Sequence, residues 1–332
     1  MVDLTTKYLG MTLKNPLIAS SSPLTGNLDD IKRLEDSGIA AVVLQSIFEE
    51  QINHEMHEID HFLFRKTNAF SEATEFFPID EDFDHIRPDE YLNNIQKITE
   101  SVDIPVIGSL NGVSEGGWIS YANKLQDVGV DAIELNVTYI PTEVNLNPRE
   151  VEDMYVSTVK DLKEHIKVPL NLKMNYCFSN PAFMAKRFQD VGANGLSIFD
   201  NPALVDIDLE NLTTITRINM TSSSNLSETL RWCAILYNQL SVDLCANTGI
   251  HSGEDVLKAL MSGAKATSFT SVLLQKGISE IGKMLMYIKN WMIEKEYESI
   301  SQMIGSISLK HTDNPSVFER NSYMQALTTY RY

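Results

Sequence analysis

The stretch Gly38-Ile-Ala-Ala-Val-Val-Leu44 joins a glycine that can end a helix to a short apolar strand. Glycine tolerates the left-handed conformation that stops a helix, and a continuous apolar run is typical of a strand covered by helices. Related stretches recur at Gly129–Leu135, Gly192–Ile198 and Gly263–Phe269. This repetition predicts alternating β and α elements around a parallel sheet.

Four further predicted strands bring the number to eight: Pro16–Ser20, Ile104–Leu110, Val168–Met174 and Val242–Asn247. Capping residues and apolar positions at helical spacing predict helices between the strands. These helices are Asn27–Asp36, Pro88–Ile98, Trp118–Val128, Pro148–Ile166, Pro181–Val191, Glu228–Tyr237 and Gly253–Met261. The pattern is that of an α/β protein with a (β/α)8 TIM barrel, which we interpret as one domain over residues 1–332.

Two segments depart from the repeat. Residues 47–87 form an extended loop after the second strand, and because long loops of this kind lie over the mouth of a barrel, we interpret them as a lid. Residues 298–332 form an irregular, aromatic tail that we expect to pack on the barrel or on a second subunit.

Composition limits the classes of partner. A formal charge of −18 argues against binding to nucleic acid or to an anionic membrane surface. Three scattered cysteines predict neither a disulfide framework nor a zinc cluster. Residues Met1–Lys7 lack the apolar core of a signal peptide, and no apolar run in the sequence approaches the length of a membrane span, so we expect neither feature. We therefore expect a cytoplasmic protein that acts on a small molecule.

Polar residues gather where the predicted strands end, which is where barrels of this class hold their active sites. Lys173 is the most informative of them, because an ammonium in the barrel mouth needs an anionic partner. The alternative interpretation of Lys173 is that its side chain extends to solvent at the strand end and binds nothing. The same argument makes Asn136 a candidate site residue, because its amide would place a hydrogen-bond donor and an acceptor over the barrel centre. For any single Ser or Asn of the set, a bond to loop backbone is the simpler interpretation.

Three other features of the sequence concern possible ligands or reactive groups. Residues Asn247–Gly253 lead directly into a helix and Ser271 begins the next one, so the loops after the seventh and eighth strands suit a phosphate group. His54, His57 and His61 recur at helical spacing, but apolar residues face the other way, so we expect a solvated helix face and no metal site. Cys177 is a candidate for a substitute base or a thiol nucleophile near the mouth, although a lone cysteine after a strand is more often a small buried residue.

These residues resemble the dihydroorotate dehydrogenases, and more closely their dihydroorotate-dehydrogenase-like branch. The resemblance runs over almost the whole chain and rests on Thr6–Leu17, Ile107–Val113, Glu134–Thr142, Asp206–Glu210, Leu230–Leu236, Thr248–Asp255 and Phe318–Asn321. It implies a flavoprotein that binds FMN at the strand ends and passes a hydride from dihydroorotate, or a related reduced pyrimidine, to the flavin. It also implies a homodimer and a proton-accepting side chain after the fourth strand.

The resemblance implies a role for individual residues. Ser20, Ser21, Gln45, Asn136 and Lys173 match positions around the flavin ring; Thr248, Gly249, Thr270 and Ser271 match the phosphate turns; Asn68, Asn136 and Asp200 match substrate-binding positions. A cation at Lys173 favours an anionic reduced flavin, which gives it a catalytic role.

The chain departs from the family pattern at several of these positions. Tyr139, preceded by Thr138, stands where soluble members carry a cysteine base, and a phenol with a pKa of ~10 is a poorer base than a thiol at ~8.5. Gln45 replaces a lysine, and Asp200 replaces an asparagine and is expected to repel a carboxylate substrate. Thr248 and Thr270 replace glycines, so their side chains are expected to crowd a phosphate.

Three hypotheses follow from these patterns. The first is an FMN-dependent oxidoreductase in which Tyr139 or Thr138 moves the proton. The second is a catalytically silent barrel with a binding or scaffold role, which Gln45, Tyr139, Asp200 and Thr270 favour. The third is an enzyme that binds another phosphorylated ligand in the same mouth.

Overall fold

The computed structural model describes residues 2–52, 88–112, 118–320 and 323–329. Eight parallel strands close into a barrel, because β3 pairs with both β4 and β13 and β4 also pairs with β6. The described strands in chain order are β1 (Thr6–Tyr8), β2 (Met11–Leu13), β3 (Leu17–Ala19), β4 (Ala41–Val43), β5 (Ile47–Phe48), β6 (Val106–Asn111), β7 (Ala132–Asn136), β8 (Leu170–Met174), β9 (Gly195–Ile198), β10 (Leu204–Asp208), β11 (Thr213–Arg217), β12 (Asp243–Ala246) and β13 (Ala266–Phe269).

Helices cover the outside of the barrel between successive strands, which confirms the predicted (β/α)8 TIM barrel. The described α-helices are α1 (Leu28–Asp36), α2 (Pro88–Thr99), α3 (Trp118–Asp127), α4 (Pro148–His165), α5 (Pro181–Asp190), α6 (Leu226–Leu236), α7 (Gly253–Ser262), α8 (Ser271–Lys276), α9 (Glu280–Glu294), α10 (Ser316–Glu319) and α11 (Tyr323–Thr329). Each of the seven helices predicted from caps and period begins and ends within about two residues of its observed bounds, which is the usual margin for helix ends.

The glycines of the repeated pattern end helices as predicted. Gly38, Gly129, Gly192 and Gly263 all have positive φ. At Gly263, with φ 126°, an added Cβ would also clash with the Tyr237 ring. Backbone conformation and close packing therefore both require glycine there.

The second barrel strand carries an irregularity just below the mouth. Val43 pairs with Ile107 and Ile47 pairs with Leu110, so four residues of one strand span three of its neighbour. One residue is therefore extra, as in a bulge, and the residues between the two pairs are Leu44, Gln45 and Ser46. Gln45 and Ser46 therefore lie in the irregular part of the strand, outside the regular pairing.

The interior of the barrel has an apolar lower layer. The antiparallel pair β1 and β2 closes the amino-terminal end and contributes Tyr8, Leu9 and Leu13, which are buried together with Ile18 and Ile107. The hairpin is tied down by a hydrogen bond from the Leu9 amide to the Asp243 carboxylate, 2.7 Å long. We call this hairpin with its buried side chains the plug.

Several elements were not predicted from the sequence. These are the plug, the antiparallel hairpin β10–β11 after the sixth barrel strand, and the long helix α9. The tail packs on the barrel over its first part: Gly305 and Ile307 donate to carbonyls of α7, and Met303 is fully buried. Farther on, the described tail contains the short helices α10 and α11.

Part of the predicted lid and of the predicted site lies outside the described residues. Of the predicted lid, residues 47–52 are described and residues 53–87 are not. Asn68 and the three histidines at helical spacing, His54, His57 and His61, fall in the range that is not described. Within the described residues, no helix is both long and apolar enough to cross a membrane.

Candidate functional site at the carboxyl ends of the barrel strands

A buried ion pair lies at the centre of the candidate site. The Lys173 ammonium, on β8, is 2.9 Å from Oε1 of Glu134 on the neighbouring strand β7, and the two side chains are 8% and 2% exposed. The lysine therefore does not reach solvent, which excludes the alternative interpretation. It has an anionic partner, as expected, but the partner belongs to the protein.

Glu134 is held by more than the lysine. Its Oε2 accepts hydrogen bonds from the Asn171 amide at 2.9 Å and from the Ser197 hydroxyl at 3.2 Å. Asn171 also donates to Ser197 at 2.8 Å. Because Glu134 and these partners lie on three adjacent strands, the carboxylate is rigidly placed inside the barrel.

Charge around Lys173 opposes the effect of its burial. Burial would lower the pKa of Lys173, but the carboxylates of Glu134 and Asp200 outweigh it and raise the pKa above its usual value. At Asp200 the balance is the reverse: burial raises the pKa of its carboxyl, although Lys173, the Asn201 amide and a hydrogen bond from Asn136 act to lower it.

Asn136 and Thr138 follow the glutamate toward the mouth. Asn136 is half-buried at the end of β7, and its Oδ1 accepts a hydrogen bond from the Thr138 hydroxyl at 3.3 Å. Asn136 and Lys173 both lie near enough to Asp200 to act on the pKa of its carboxyl. The predicted residues Asn136, Lys173 and Asp200 are therefore brought together.

Tyr139 is held by its backbone. Its amide donates to the Tyr155 hydroxyl at 3.1 Å, and the same hydroxyl donates to the Tyr139 carbonyl at 3.3 Å. Tyr155 lies on α4 and is buried, and burial raises the pKa of its phenol. The Tyr139 side chain itself is half-buried.

Cys177 is exposed, so the expectation of a buried thiol was wrong.

Hydroxyl groups line the side of the mouth formed by the first three barrel strands. Ser21 Oγ lies 3.1 Å from Ser46 Oγ, which lies 2.7 Å from Ser109 Oγ. Ser20 is buried and donates to Asn247 Oδ1 at 3.3 Å. The Gln45 side chain lies directly over Gly26, where no Cβ has room. Gln45 is therefore turned toward the loop after the first barrel strand.

The two threonines at the predicted phosphate turns point into the wall of the barrel. Thr248 donates to the Phe199 carbonyl at 2.7 Å, and Thr270 donates to the Ser20 carbonyl at 3.0 Å. Their hydroxyls are therefore used within the protein. Gly249 has φ 89°, and a Cβ there would clash with the Leu226 backbone, so this turn also requires glycine.

A segment of the chain packs against these turns. The Thr221 amide donates to Ser271 Oγ at 3.1 Å, and Thr221 Oγ1 lies 3.0 Å from His251 Nε2. Asp255 Oδ2 accepts from the His251 amide at 3.0 Å and from Ser223 Oγ at 2.8 Å. The amino-terminal end of α7 therefore carries a carboxylate next to the predicted phosphate turns.

Sequence reasoning missed Glu134 and Tyr155. Glu134 had a signal: a carboxylate inside an apolar strand, two residues before Asn136 and so on the same face. Tyr155 had none, since an aromatic residue in an amphipathic helix is ordinary core. The structure brings the polar strand-end residues to one mouth, while Asn68 lies outside the described residues.

Comparison with protein families gives a match over more than half of the chain. The sequence model of the family described as dihydroorotate dehydrogenase matches residues 84–292. This range contains Glu134, Asn136, Lys173 and Asp200.

Curated relatives match over most of their length at low identity. The chain is 26% identical over 312 residues to the catalytic subunit of dihydroorotate dehydrogenase B (NAD(+)) from Thermoplasma acidophilum, covering 92% of this chain and 99% of that protein. The corresponding subunit from Methanocaldococcus jannaschii is 24% identical over 91% of this chain and 97% of its own length. The NAD-dependent dihydropyrimidine dehydrogenase subunit PreA of Escherichia coli K12 is 22% identical over 91% of this chain and 76% of its length.

Proposed function

Because the chain belongs to the dihydroorotate dehydrogenase family, we propose that it is an FMN-dependent oxidoreductase that takes a hydride from dihydroorotate or a related reduced pyrimidine. The observation that carries the proposal is the buried Lys173 ammonium, held by Glu134 next to Asn136 at the barrel mouth. An ordered cation and amide are suited to a ring that gains negative charge on reduction.

The chemistry of the donor set fits FMN. Lys173 and Asn136 would hold the polar edge of the flavin ring, and the hydroxyls of Ser20 and Ser21 line the same mouth. The residues proposed to hold the cofactor are Ser20, Ser21, Gln45, Asn136 and Lys173 at the ring and Thr248, Gly249, Thr270 and Ser271 at the phosphate. Because Thr248 and Thr270 donate to backbone carbonyls, their hydroxyls are drawn toward the barrel wall, which favours access for the phosphate.

The proposed reaction removes two groups from adjacent carbons of the donor. One carbon loses a hydride, the next loses a proton, and a C=C bond forms between them; bound FMN supplies the acceptor for the hydride and its two electrons. We assign the proton to Tyr139 or Thr138, in the loop after β7. The Tyr155 hydroxyl fixes the Tyr139 backbone, which supports a defined position for the loop.

One observation favours the alternative of a silent barrel. Thr221 donates its amide to Ser271, and Asp255 accepts hydrogen bonds at the start of α7. A segment of the chain thus meets groups proposed to bind phosphate. Its packing there favours a barrel that has lost its cofactor.

The test is a visible absorption spectrum of the purified protein, before and after addition of excess FMN and desalting. We expect a flavin spectrum that survives desalting and bleaches when a reduced pyrimidine is added without oxygen. The double variant Glu134→Gln/Lys173→Met removes both buried charges together and is expected to lose at least about tenfold in FMN affinity. Lys283→Met, at an exposed lysine, is the matched control.

A colourless protein that does not retain added FMN would contradict the oxidoreductase proposal and favour the silent barrel. Retention of another phosphorylated ligand instead, read as a rise in melting temperature, would favour the third hypothesis. A homodimer and a cytoplasmic location are part of the proposal. Analytical ultracentrifugation and cell fractionation test them.

A further inference from the structure

The charge at the barrel mouth is unusual for a site that binds an anion. One ammonium, Lys173, is under the influence of two carboxylates, those of Glu134 and Asp200. With all three groups ionised, this cluster has a formal charge of −1. A site for a carboxylate needs the opposite excess, because like charges at a desolvated site oppose each other.

The charge of Lys173 is already compensated inside the protein. Its ammonium is 2.9 Å from Glu134, and both side chains are buried. A carboxylate that approached Lys173 from the mouth would compete with a partner that is bonded to Asn171 and Ser197 and cannot turn away. The proposed function uses the remaining hydrogen-bonding capacity of this ammonium at the flavin ring, so no unpaired cation is left at Lys173 for a ligand carboxylate.

Asp200 is placed to meet a ligand. Its backbone amide donates to the Met174 carbonyl at 3.0 Å, which fixes the residue at the end of the neighbouring strand. Asn136 and the Asn201 amide act to lower the pKa of its carboxyl, and the residue remains partly exposed. An ionised carboxylate has about four lone-pair sites, so it can accept a hydrogen bond from a ligand as well as from such neighbours.

We propose that Asp200 makes this mouth select an uncharged reduced pyrimidine, whose ring N–H groups donate to its carboxylate, over one that carries a carboxylate. The inference rests on the proposed function and narrows its substrate class. Asp200 acts as a specificity residue: it supplies an acceptor to a ring N–H and repels a ligand carboxylate in the same place.

The experiment compares two donors that differ by one carboxylate, 5,6-dihydrouracil and dihydroorotate, on the FMN-loaded protein. Rates of flavin bleaching are measured anaerobically for the wild type, Asp200→Asn and the exposed-site control Asp313→Asn. Binding is read independently of turnover from the shift of the flavin spectrum and of the melting temperature on adding uracil or orotate.

We expect uracil to bind the wild type at least about tenfold more tightly than orotate, and dihydrouracil to be the faster donor. Asp200→Asn is expected to shrink or reverse that ratio, whereas Asp313→Asn leaves it unchanged. The wild-type comparison decides the matter even if the Asp200 variant does not fold.

Tighter binding of orotate by the wild type would overturn the inference, as would an unchanged ratio in folded Asp200→Asn. Flavin that is retained but responds to neither pyrimidine would also overturn it. Failure to retain FMN is a different result, because it removes the proposed function on which the inference rests.

Discussion

The two ends of the barrel axis are built from opposite chemistry. The plug closes the amino-terminal end with Tyr8, Leu9 and Leu13 against the lower barrel layer, all of them buried. The carboxyl end holds Glu134 and Lys173, which are just as buried but charged. Burial of apolar groups stabilises the fold, whereas burial of an ion pair contributes little net stability and is costly to break.

The contrast separates two roles along one axis. The strands that pass through the apolar layer continue into the polar layer within two residues, as Ala132 leads to Glu134 on β7. The lower layer can tolerate exchange among apolar groups of similar volume. The upper layer cannot, since each charge there depends on its partner.

The largest expected effect comes from breaking the upper layer. Glu134→Gln removes the carboxylate that is bonded to the buried Lys173 ammonium, and we expect a loss of about 3–5 kcal/mol in the free energy of unfolding. Chemical denaturation measures it. The double variant with Lys173→Met should recover most of the loss, and Glu228→Gln, at a side chain 62% exposed, should change stability by less than about 1 kcal/mol. Equal losses of unfolding free energy in the single and the double variant would contradict the claim that the loss comes from breaking the ion pair.

The plug gives a comparable loss of stability by a different route. Leu13→Ala creates a cavity at a fully buried side chain, and we expect it to cost about 2–5 kcal/mol. The folded fraction should keep its FMN affinity, because Leu13 packs within the apolar cluster and is not among the residues proposed to hold the cofactor. Leu212→Ala, at a side chain 85% exposed, is the control. If FMN affinity fell with Leu13→Ala, the separation of the two ends would be wrong.

A smaller effect is expected at the edge of the mouth. Tyr155→Phe removes the hydroxyl that binds the Tyr139 amide and carbonyl, which should cost about 1–2 kcal/mol. Hydrogen exchange at the Tyr139 amide should accelerate more than at amides of the plug. Tyr287→Phe, at a partly exposed ring, is the matched control. Unchanged exchange at Tyr139 would show that the hydroxyl does not hold the loop.

The smallest effect is a pH-dependent gain at Asp200. Because burial raises the pKa of this carboxyl above its ordinary value of 3.8, ionising it costs more in the folded state than in the unfolded state. Asp200→Asn should therefore stabilise the protein at pH 7. The gain should be absent below pH 3.8, grow as the pH rises from 3.8 to the higher folded-state pKa, and be fully present above that pKa.

Denaturation of both forms across this pH range checks the sign. A gain that is largest in acid would contradict it. Asp313→Asn, at an exposed position, should show no comparable pH dependence.

The alternation of elements could be predicted from local patterns. Gly38, Gly129, Gly192 and Gly263 mark helix ends because the positive φ they adopt is a property of single residues. The mouth could be predicted too, since strand ends of a parallel barrel meet at one edge. The plug and the hairpin β10–β11 escaped prediction because three- to five-residue strands carry too little periodicity.

The amino-acid sequence thus established the barrel, its polar end and the importance of Lys173, since spacing, capping and the cost of a buried charge are local matters. Only the tertiary structure decided which partner satisfies that lysine. Glu134 is 39 positions earlier in the chain, and its distance to Lys173 depends on how β7 and β8 pair. Likewise, the contact of Tyr155 with Tyr139 depends on how α4 folds back on the strands, which no local pattern determines.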